Sequence, residues 1–318
     1  MHRFRHRNSN AAAVLALAFV SAAARSTILL AQSGGSNAAP PAVDAAAIVR
    51  SAVTNRLTAE GAHPPQRFFL HKKDERRDYI QEIIETRQGD VAMAIASNGA
   101  PLSPAMHQVQ VNRLDNLDAH PDLQEHRRKR EEEDNARADK LLRMLPDAFL
   151  YHYDATVSCV VTAEPKIPIP GSAREEAAAP PAALPAAAQC YHLTFKPNPH
   201  WDPPDTEAKI LCGMAGEVLI EESQERLVRL NARLIDDVEF GWGIIGHLDK
   251  GGTIYLEQTL VAPDDWELTR MKLSLTGRAL LVKSLSYHIV EEMGLYTPVP
   301  AGLDYHEAIR ILKGEAVP

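Results

Sequence analysis

Apolar and polar residues alternate along much of the segment from Arg226 to Val290. A period of two predicts antiparallel strands that bury one side and leave the other in water. The apolar positions are Val228, Leu230, Ala232, Leu234, Ile254, Leu256, Leu260, Met271, Leu273 and Leu275. A sheet of this kind must cover its apolar face with helices, with a partner or with a ligand, because exposed apolar area is costly.

The N-terminus has the two parts of a secretory signal. Three arginines among the first seven residues precede an apolar stretch from Ala11 to Ala24. This order predicts a cleavable signal peptide over residues 1–31 and export to the periplasm. Cleavage after Ala31 is favoured over cleavage after Ala24. A retained anchor is the alternative, although the stretch is shorter than the roughly 20 residues of a membrane span. We expect no membrane span in the mature chain.

The charge of the mature chain argues against some partners. Removing residues 1–31 takes away four arginines and no acid, which moves the formal net charge from −8 to −12. An acidic chain is not suited to nucleic acid or to anionic lipid headgroups as main partners.

Composition divides the remaining sequence. Residues 32–45 are rich in Gly, Ser, Ala and Pro and predict a disordered linker. Residues 46–318 are interpreted as one β-rich domain, because predicted strands stand on both sides of a helical insertion. That insertion covers 103–145, is mostly charged, and is interrupted at Pro121. Residues 163–189 predict a Pro/Ala-rich loop.

Turn residues and capping signals set the other expected elements. Helices are predicted over Ala45–Thr58, Thr206–Met214 and Asp304–Leu312, and strands over Arg67–Arg76, Tyr79–Arg87, Val91–Ile95, Phe149–Thr162, Tyr191–Lys196 and Glu217–Glu221.

Three cysteines in an oxidising compartment leave at least one thiol unpaired. Cys159 lies in a predicted strand and Cys190 directly precedes another. If these strands pair, a disulfide between the two cysteines closes the base of the loop between them. The alternative is three free, buried thiols. Cys212 lies in a predicted helix, and we expect it to be a buried, small apolar residue.

Several stretches resemble known exported proteins. Phe195–Pro199, Lys209–Glu221 and Asp237–Gly243 are similar to a family of uncharacterised exported bacterial proteins. Those proteins resemble the periplasmic lipoprotein-carrier and outer-membrane lipoprotein-sorting superfamily. The resemblance covers roughly Arg67 to Ala301 and rests on strand order and a few turn motifs.

The resemblance implies an α+β, β-rich fold. Its curved antiparallel sheet is an incomplete barrel, helices cover the concave face, and here a long charged helical insertion is added. In the carriers the covered cavity holds acyl chains and no reacting group. An arginine tied to the backbone of the helical lid helps to control its opening, and the sequence does not show which arginine corresponds to it.

The sequence shows no recognisable catalytic or metal motif. It has no GxSxG, Walker or GxGxxG pattern and no HExxH or CxxC. His200 and Asp202 alone do not make a ligand set. Asp236 and Asp237 are neighbours on an extended segment, so their carboxylates point to opposite faces. We therefore expect a protein that is not an enzyme and has neither a cofactor nor a metal site.

Two functions fit these observations. The first is an exported, non-enzymatic binding protein whose apolar concavity holds an acyl chain or a lipidated polypeptide, with a lipid or lipoprotein as partner. The alternative is an envelope protein–protein interaction or sensor module with a filled core and no small ligand. A cavity of several hundred Å³ favours the first. The candidate lining residues, which form the core under the alternative, are Val228, Leu230, Leu234, Ile254, Leu256, Met271, Leu273 and Leu275.

Overall fold

The structure, a computed structural model, describes residues 43–59, 64–170, 187–240, 246–279 and 283–315. The predicted signal peptide, most of the predicted linker and residues 171–186 of the Pro/Ala-rich loop lie outside these ranges.

The described residues form four α-helices, a 3₁₀ helix and thirteen strands. The helices are α1 Ala45–Ala59, α2 Pro104–Ala119, α3 Pro121–Ala148 and α4 Tyr305–Lys313, and the 3₁₀ helix is Ala208–Gly213. The strands are β1 Gln66–Lys73, β2 Asp78–Ile84, β3 Val91–Ser97, β4 Ala100–Pro101, β5 Phe149–Cys159, β6 Ala188–Pro197, β7 Met214–Glu221, β8 Arg226–Leu234, β9 Val238–Phe240, β10 Gly246–Leu248, β11 Thr253–Ala262, β12 Asp265–Ala279 and β13 Lys283–Pro298.

All the strands belong to one antiparallel sheet. Its order is β4-β3-β2-β1-β13-β12-β11-β8-β7-β6-β5, and β10 and β9 branch from β12. The strands near the N-terminus join the end of the C-terminal meander, with Arg67 opposite Thr297 and Lys73 opposite Val290. The sheet is curved and does not close into a barrel. The predicted α+β, β-rich fold with an open, curved antiparallel sheet is therefore confirmed.

The helical insertion breaks where its sequence indicates. The Ser103 hydroxyl accepts a hydrogen bond from the Met106 backbone N–H and so caps the start of α2. The helix ends at Ala119, and Pro121 opens α3 as its first residue, a position where a missing N–H costs nothing. The second helix reaches Ala148, three residues beyond the predicted end of the insertion.

Two local predictions were wrong. The helix expected over Thr206–Met214 is the 3₁₀ helix Ala208–Gly213, and Cys212 is exposed instead of buried. Side chains three residues apart eclipse in a 3₁₀ helix. Ala208 and Leu211 therefore share the buried side, which turns Cys212 towards solvent.

The strand expected over Arg67–Arg76 ends at Lys73. The Asp74 carboxylate accepts hydrogen bonds from the backbone N–H groups of Arg76 and Arg77, which makes a turn in place of strand pairing.

One face of the sheet, here called the inner face, packs against the C-terminal end of α3 and the 3₁₀ helix. Leu142, Leu211, Leu256, Met271 and Leu273 belong to this largest core cluster. The helix α1 covers the neighbouring part of the same face, over β6 and β7. Two helices lie elsewhere, because α2 and α4 pack together against β2 and β3 in a separate cluster. Within the described ranges, no helix is long and apolar enough to cross a membrane.

A disulfide joins Cys159 and Cys190, the pair named from the sequence, with their Cα atoms 6.0 Å apart. Residues 160–170, here called the strap, follow the first cysteine. Val161 packs in a cluster with both cysteines, and its carbonyl accepts a hydrogen bond from the Leu260 N–H. Ile167 packs among residues of β1, β2 and β3. The disulfide therefore fixes one end of a packed segment.

Candidate functional site

Two small, mostly apolar cavities lie between the helices and the inner face. Cavity A has a volume of about 50 Å³, and cavity B of about 40 Å³. Cavity A is lined by Val49, Ala52, Val53, Arg56, Leu142, Leu145, Phe149, Tyr151, Phe195, Val218, Ile220, Arg226, Leu227, Leu230 and Gln258. Cavity B is lined by Ala138, Leu141, Leu142, Leu145, Phe149, Phe195, Leu211, Met214, Leu230 and Leu256.

Five residues line both cavities and form a shared wall: Leu142, Leu145, Phe149, Phe195 and Leu230. The rings of Phe149 and Phe195 have their centroids 4.8 Å apart. The two cavities are therefore neighbours beneath the helices.

Cavity A has a polar end. Arg56 of α1, Arg226 of β8 and Gln258 of β11 line it, and they are only 5%, 7% and 3% exposed. The Arg226 Nη1 donates a hydrogen bond of 3.2 Å to the backbone carbonyl of Asn55 on α1. Burial lowers the pKa of Arg226, while Asp264 and Asp265 nearby act to raise it. Its guanidinium stays charged, because the arginine side chain is not deprotonated in proteins.

Cavity A is covered by α1 together with the C-terminal end of α3, which contributes Leu142 and Leu145. The buried side of α1 presents small apolar residues, including Ala45, Val49 and Ala52, to the apolar side chains of β6 and β7.

Polar contacts join α1 to the turn between β7 and β8 and to α3. The Ser51 hydroxyl donates to the Glu225 carboxylate, and the Asn55 side-chain amide donates to the Gln224 carbonyl. The Arg50 guanidinium pairs with the Asp147 carboxylate of α3 at 3.5 Å.

Of the eight lining residues expected from the sequence, the cavities include two. Leu230 lines both A and B, and Leu256 lines B. The other members of the inner-face cluster are buried but line neither cavity, namely Leu234, Ile254, Met271, Leu273 and Leu275.

Val228 lies in a different place. It packs with Val161, Leu260 and Trp266 beside the disulfide. Between Leu227 and Arg229 the register of β8 shifts against β7, so Val228 is an extra residue in the strand. A bulge of this kind interrupts the alternation of faces. Leu227 consequently lines cavity A, which simple alternation does not predict.

The sequence reasoning missed the polar end of cavity A and the contribution of α1. The sequence does contain an indication that Arg56 is buried. Ile48, Ala52 and Arg56 occur four residues apart. Residues four apart share one side of a helix, so a charge interrupts an otherwise apolar stripe. For Arg226 and Gln258 we find no comparable local signal, because their burial depends on how the strands and α1 come together.

A second buried polar cluster joins α3 to the turn between β2 and β3. The Gln124 amide donates to the carbonyls of Gln88 and Gly89, and the Asp90 N–H donates to the Glu131 carboxylate. Burial raises the pKa of Asp90 well above 3.8, and the charges of Glu85 and Glu131 add to this, while Arg127 opposes it. Burial also raises the pKa of Glu131.

Over the described ranges, no group of three or more His, Cys, Asp or Glu residues is arranged to hold a metal ion. His200 and Asp202 are exposed. Asp264 lies in the turn between β11 and β12 with a φ of 61°.

Comparison with protein-family models, curated proteins and solved structures gave no match for this chain.

Proposed function

We propose that this protein is an exported, non-enzymatic binding protein that takes an acyl chain, free or attached to a polypeptide, into the apolar space beneath α1 and α3. The observation that carries the proposal is the pair of cavities A and B, which share five lining residues against the inner face. The resemblance to the lipoprotein carriers points to the same kind of ligand.

The cavities are smaller than the ligand and fall short of the several hundred Å³ expected for a preformed site, so binding requires opening. Ligand pockets for drug-sized molecules hold roughly 300–1,000 Å³, whereas A and B hold about 50 and 40 Å³. The proposed closed form fills the space with its own side chains. Burial of each CH₂ group contributes about 0.8 kcal/mol, so ten methylenes supply about 8 kcal/mol towards displacing the cover.

The contacts of α1 fit the role of a lid. Its buried residues include Ala45, Val49 and Ala52, and Ser51 and Asn55 hold it at the turn before β8. Arg226 donates to the Asn55 carbonyl, so it is an arginine tied to the backbone of the cover. The resemblance implies such an arginine in the carriers, and we propose Arg226 for that role.

Export is part of the proposal. The Cys159–Cys190 disulfide supports it, because structural disulfides persist in oxidising compartments such as the bacterial periplasm. We propose that residues 1–31 are the cleaved signal and that the partner is a lipid or a lipoprotein.

A specific observation also favours the alternative, an envelope interaction or sensor module. The inner face is nearly filled, and Met106 and Val109 on α2 are 49% and 52% exposed. They lie three residues apart, on one side of the helix. An apolar patch of this kind suits docking of a protein partner and needs no small ligand.

Purification from the periplasm tests the proposal. The full chain is expressed with its own N-terminus, purified without detergent, and measured by native mass spectrometry followed by denaturing lipid extraction. We expect an acyl-containing molecule in near-stoichiometric amount. A clean mass of the protein alone, combined with no binding of added fatty acids or lipopeptides, would overturn the proposal and leave the interaction module.

A pair of variants on α1 locates the ligand. Val53→Trp fills cavity A with an indole, so we expect it to reduce the co-purified lipid several-fold. Thr54→Trp adds the same side chain at the adjacent, exposed position and serves as the control, with lipid content unchanged. Equal lipid content in both variants would place the ligand outside cavity A.

A further inference from the structure

One end of the sheet has an open edge beside cavity A. The strand β5 is the last in the sheet order, and among the described strands it pairs with β6 alone. We infer that this edge binds the polypeptide part of a lipidated protein as an added, extended strand, while the acyl chain enters the space beneath α1 and α3. The inference rests on the proposed function, because it selects an acyl chain attached to a polypeptide as the ligand of that same space.

The hydrogen bonds of the sheet show which backbone groups of β5 face outwards. The Asn198 N–H donates to the Ala148 carbonyl at the start of the ladder between β5 and β6. Directly opposite residues of antiparallel strands alternate between pairs that exchange hydrogen bonds and pairs that do not. The N–H and C=O groups of Phe149, Tyr151 and Tyr153 therefore point away from β6. Within the described ranges, no hydrogen bond uses these outward groups.

The ladder between β6 and β7 agrees with this assignment. The Glu222 N–H donates to the Gln189 carbonyl at the end of that ladder. By the same alternation, Leu193 bonds to β7 and Thr194 bonds to β5, where it lies opposite His152. The residues of β5 on either side of His152 consequently have their backbone groups on the open edge.

The edge lacks the features that usually block the addition of a strand. Natural sheets protect their edges with very short strands, with Pro and with Lys. The strand β4, at the opposite end of the sheet order, has two residues and includes Pro101. In contrast, β5 has 11 residues, and none of them is Pro, Gly, Lys or Arg. A bulge with Asp154 as the extra residue ends the first register of β5, so the part that fits a partner strand is residues 149–153.

This part of β5 is also a wall of the apolar space. Phe149 and Tyr151 line cavity A, and Phe149 lines cavity B as well. A strand added to β5 lies about 4.8 Å from it. An acyl chain attached to that strand is therefore within one strand spacing of the cavities. A second copy of this chain could pair with the edge but brings no acyl chain, and a free fatty acid has no backbone groups to pair.

Matched lipopeptides test the inference on the unaltered protein. The full chain, freed of lipid, is titrated by calorimetry with N-dodecanoyl-Ser-Val-Thr-Val-Ser amide and with two analogues. One analogue is N-methylated at its second and fourth residues, and the other at its third and fifth. Because alternate N–H groups point to opposite edges of a strand, we expect one analogue to bind about tenfold more weakly and the other as tightly as the parent. Equal affinities of the two analogues would overturn the inference.

Dodecanoate separates this inference from the proposed function. If dodecanoate binds and the two analogues do not differ, the proposed function stands without strand pairing at β5. If neither dodecanoate nor any of the lipopeptides binds, the proposed function itself fails.

Two variants at Tyr153 locate the added strand. Tyr153→Pro removes an outward N–H, which an edge strand tolerates, and Tyr153→Ala removes the same ring but keeps the N–H. We expect the proline variant to bind the parent lipopeptide about fivefold more weakly than the alanine variant, and both to bind dodecanoate equally. Equal lipopeptide affinities of the two variants would contradict pairing at β5. The analogues on the unaltered protein remain decisive if the proline variant fails to fold.

Sedimentation velocity of the lipid-free chain tests a second copy as the occupant of the edge. We expect a monomer at micromolar concentration. A dimer that dissociates in Tyr153→Pro would assign the edge to a second copy and overturn the inference of a lipidated polypeptide.

Discussion

Leu230 is the residue whose removal most directly tests the shared wall. It lies on β8, lines both cavities and is partly buried. Substitution of a buried leucine by alanine costs about 2–5 kcal/mol. For Leu230→Ala we expect a loss of about 2–3 kcal/mol in the free energy of unfolding, because empty space on two sides already limits its contacts.

The matched control is Leu275→Ala on β12. Leu275 belongs to the same core cluster, is 4% exposed and lines neither cavity. Its substitution leaves a new hole in a packed region, so we expect a loss of about 3–5 kcal/mol. Both losses are measured by urea unfolding at 25 °C, with the slope of the free energy against urea checked for change.

Ligand binding should separate the two variants. Removal of the Leu230 side chain opens part of the shared wall, so we expect a fatty acid such as dodecanoate to bind more tightly than to the unaltered chain. A ligand at a concentration of 100 times its Kd adds about 2.7 kcal/mol, which restores most of the stability lost in Leu230→Ala. If Leu230→Ala and Leu275→Ala bind the acid equally well, the two cavities are not the space that the ligand occupies.

The remaining predictions concern the disulfide, the buried acid and the lid. Replacement of Cys159 and Cys190 by serine opens a loop with a sequence separation of 31. Chain entropy predicts a loss of about 3.7 kcal/mol in the free energy of unfolding, measured with urea. An unchanged midpoint of the urea transition would contradict this. Because burial raises the pKa of Asp90, the folded protein binds the proton more tightly than the unfolded chain, and stability falls as pH rises from about 4 towards the raised pKa. The free energy of unfolding of Asp90→Asn, relative to that of the unaltered chain, should therefore be higher at pH 7.5 than at pH 4. An equal difference in free energy at both pH values would refute the raised pKa. Ser51→Ala removes the bond to Glu225, so hydrogen exchange of α1 amides should quicken while that of α4 stays the same; protection of α1 equal to that in the unaltered chain would argue against a weakly held lid.

The pattern of the sequence predicted the sheet because alternation is a local property. Leu256, Met271 and Leu273 alternate with polar neighbours, and burial of one side follows directly from strand geometry. Val228 shows the limit of this reasoning. A single extra residue in β8 places it beside the disulfide, and no feature of its own alternating stretch marks that bulge.

The polar end of the cavity was beyond local reasoning for a different reason. Arg226 and Gln258 lie on different strands, and Arg56 comes from α1, more than 150 residues earlier in the chain. Only the packing of α1 over the sheet brings the three together. The size of the cavities likewise depends on rotamers at the shared wall, which the order of residues does not specify.

Photocrosslinking tests the central claim most directly. A fatty acid with a diazirine near the end of its chain is incubated with the full chain, irradiated, and the labelled residues are identified by mass spectrometry. We predict labels on the residues that line cavity B, such as Met214 and Leu256, and loss of these labels when dodecanoate is in excess. Labels confined to the exposed Met106 and Val109 of α2 would contradict binding beneath α1 and α3 and support a surface that docks a partner.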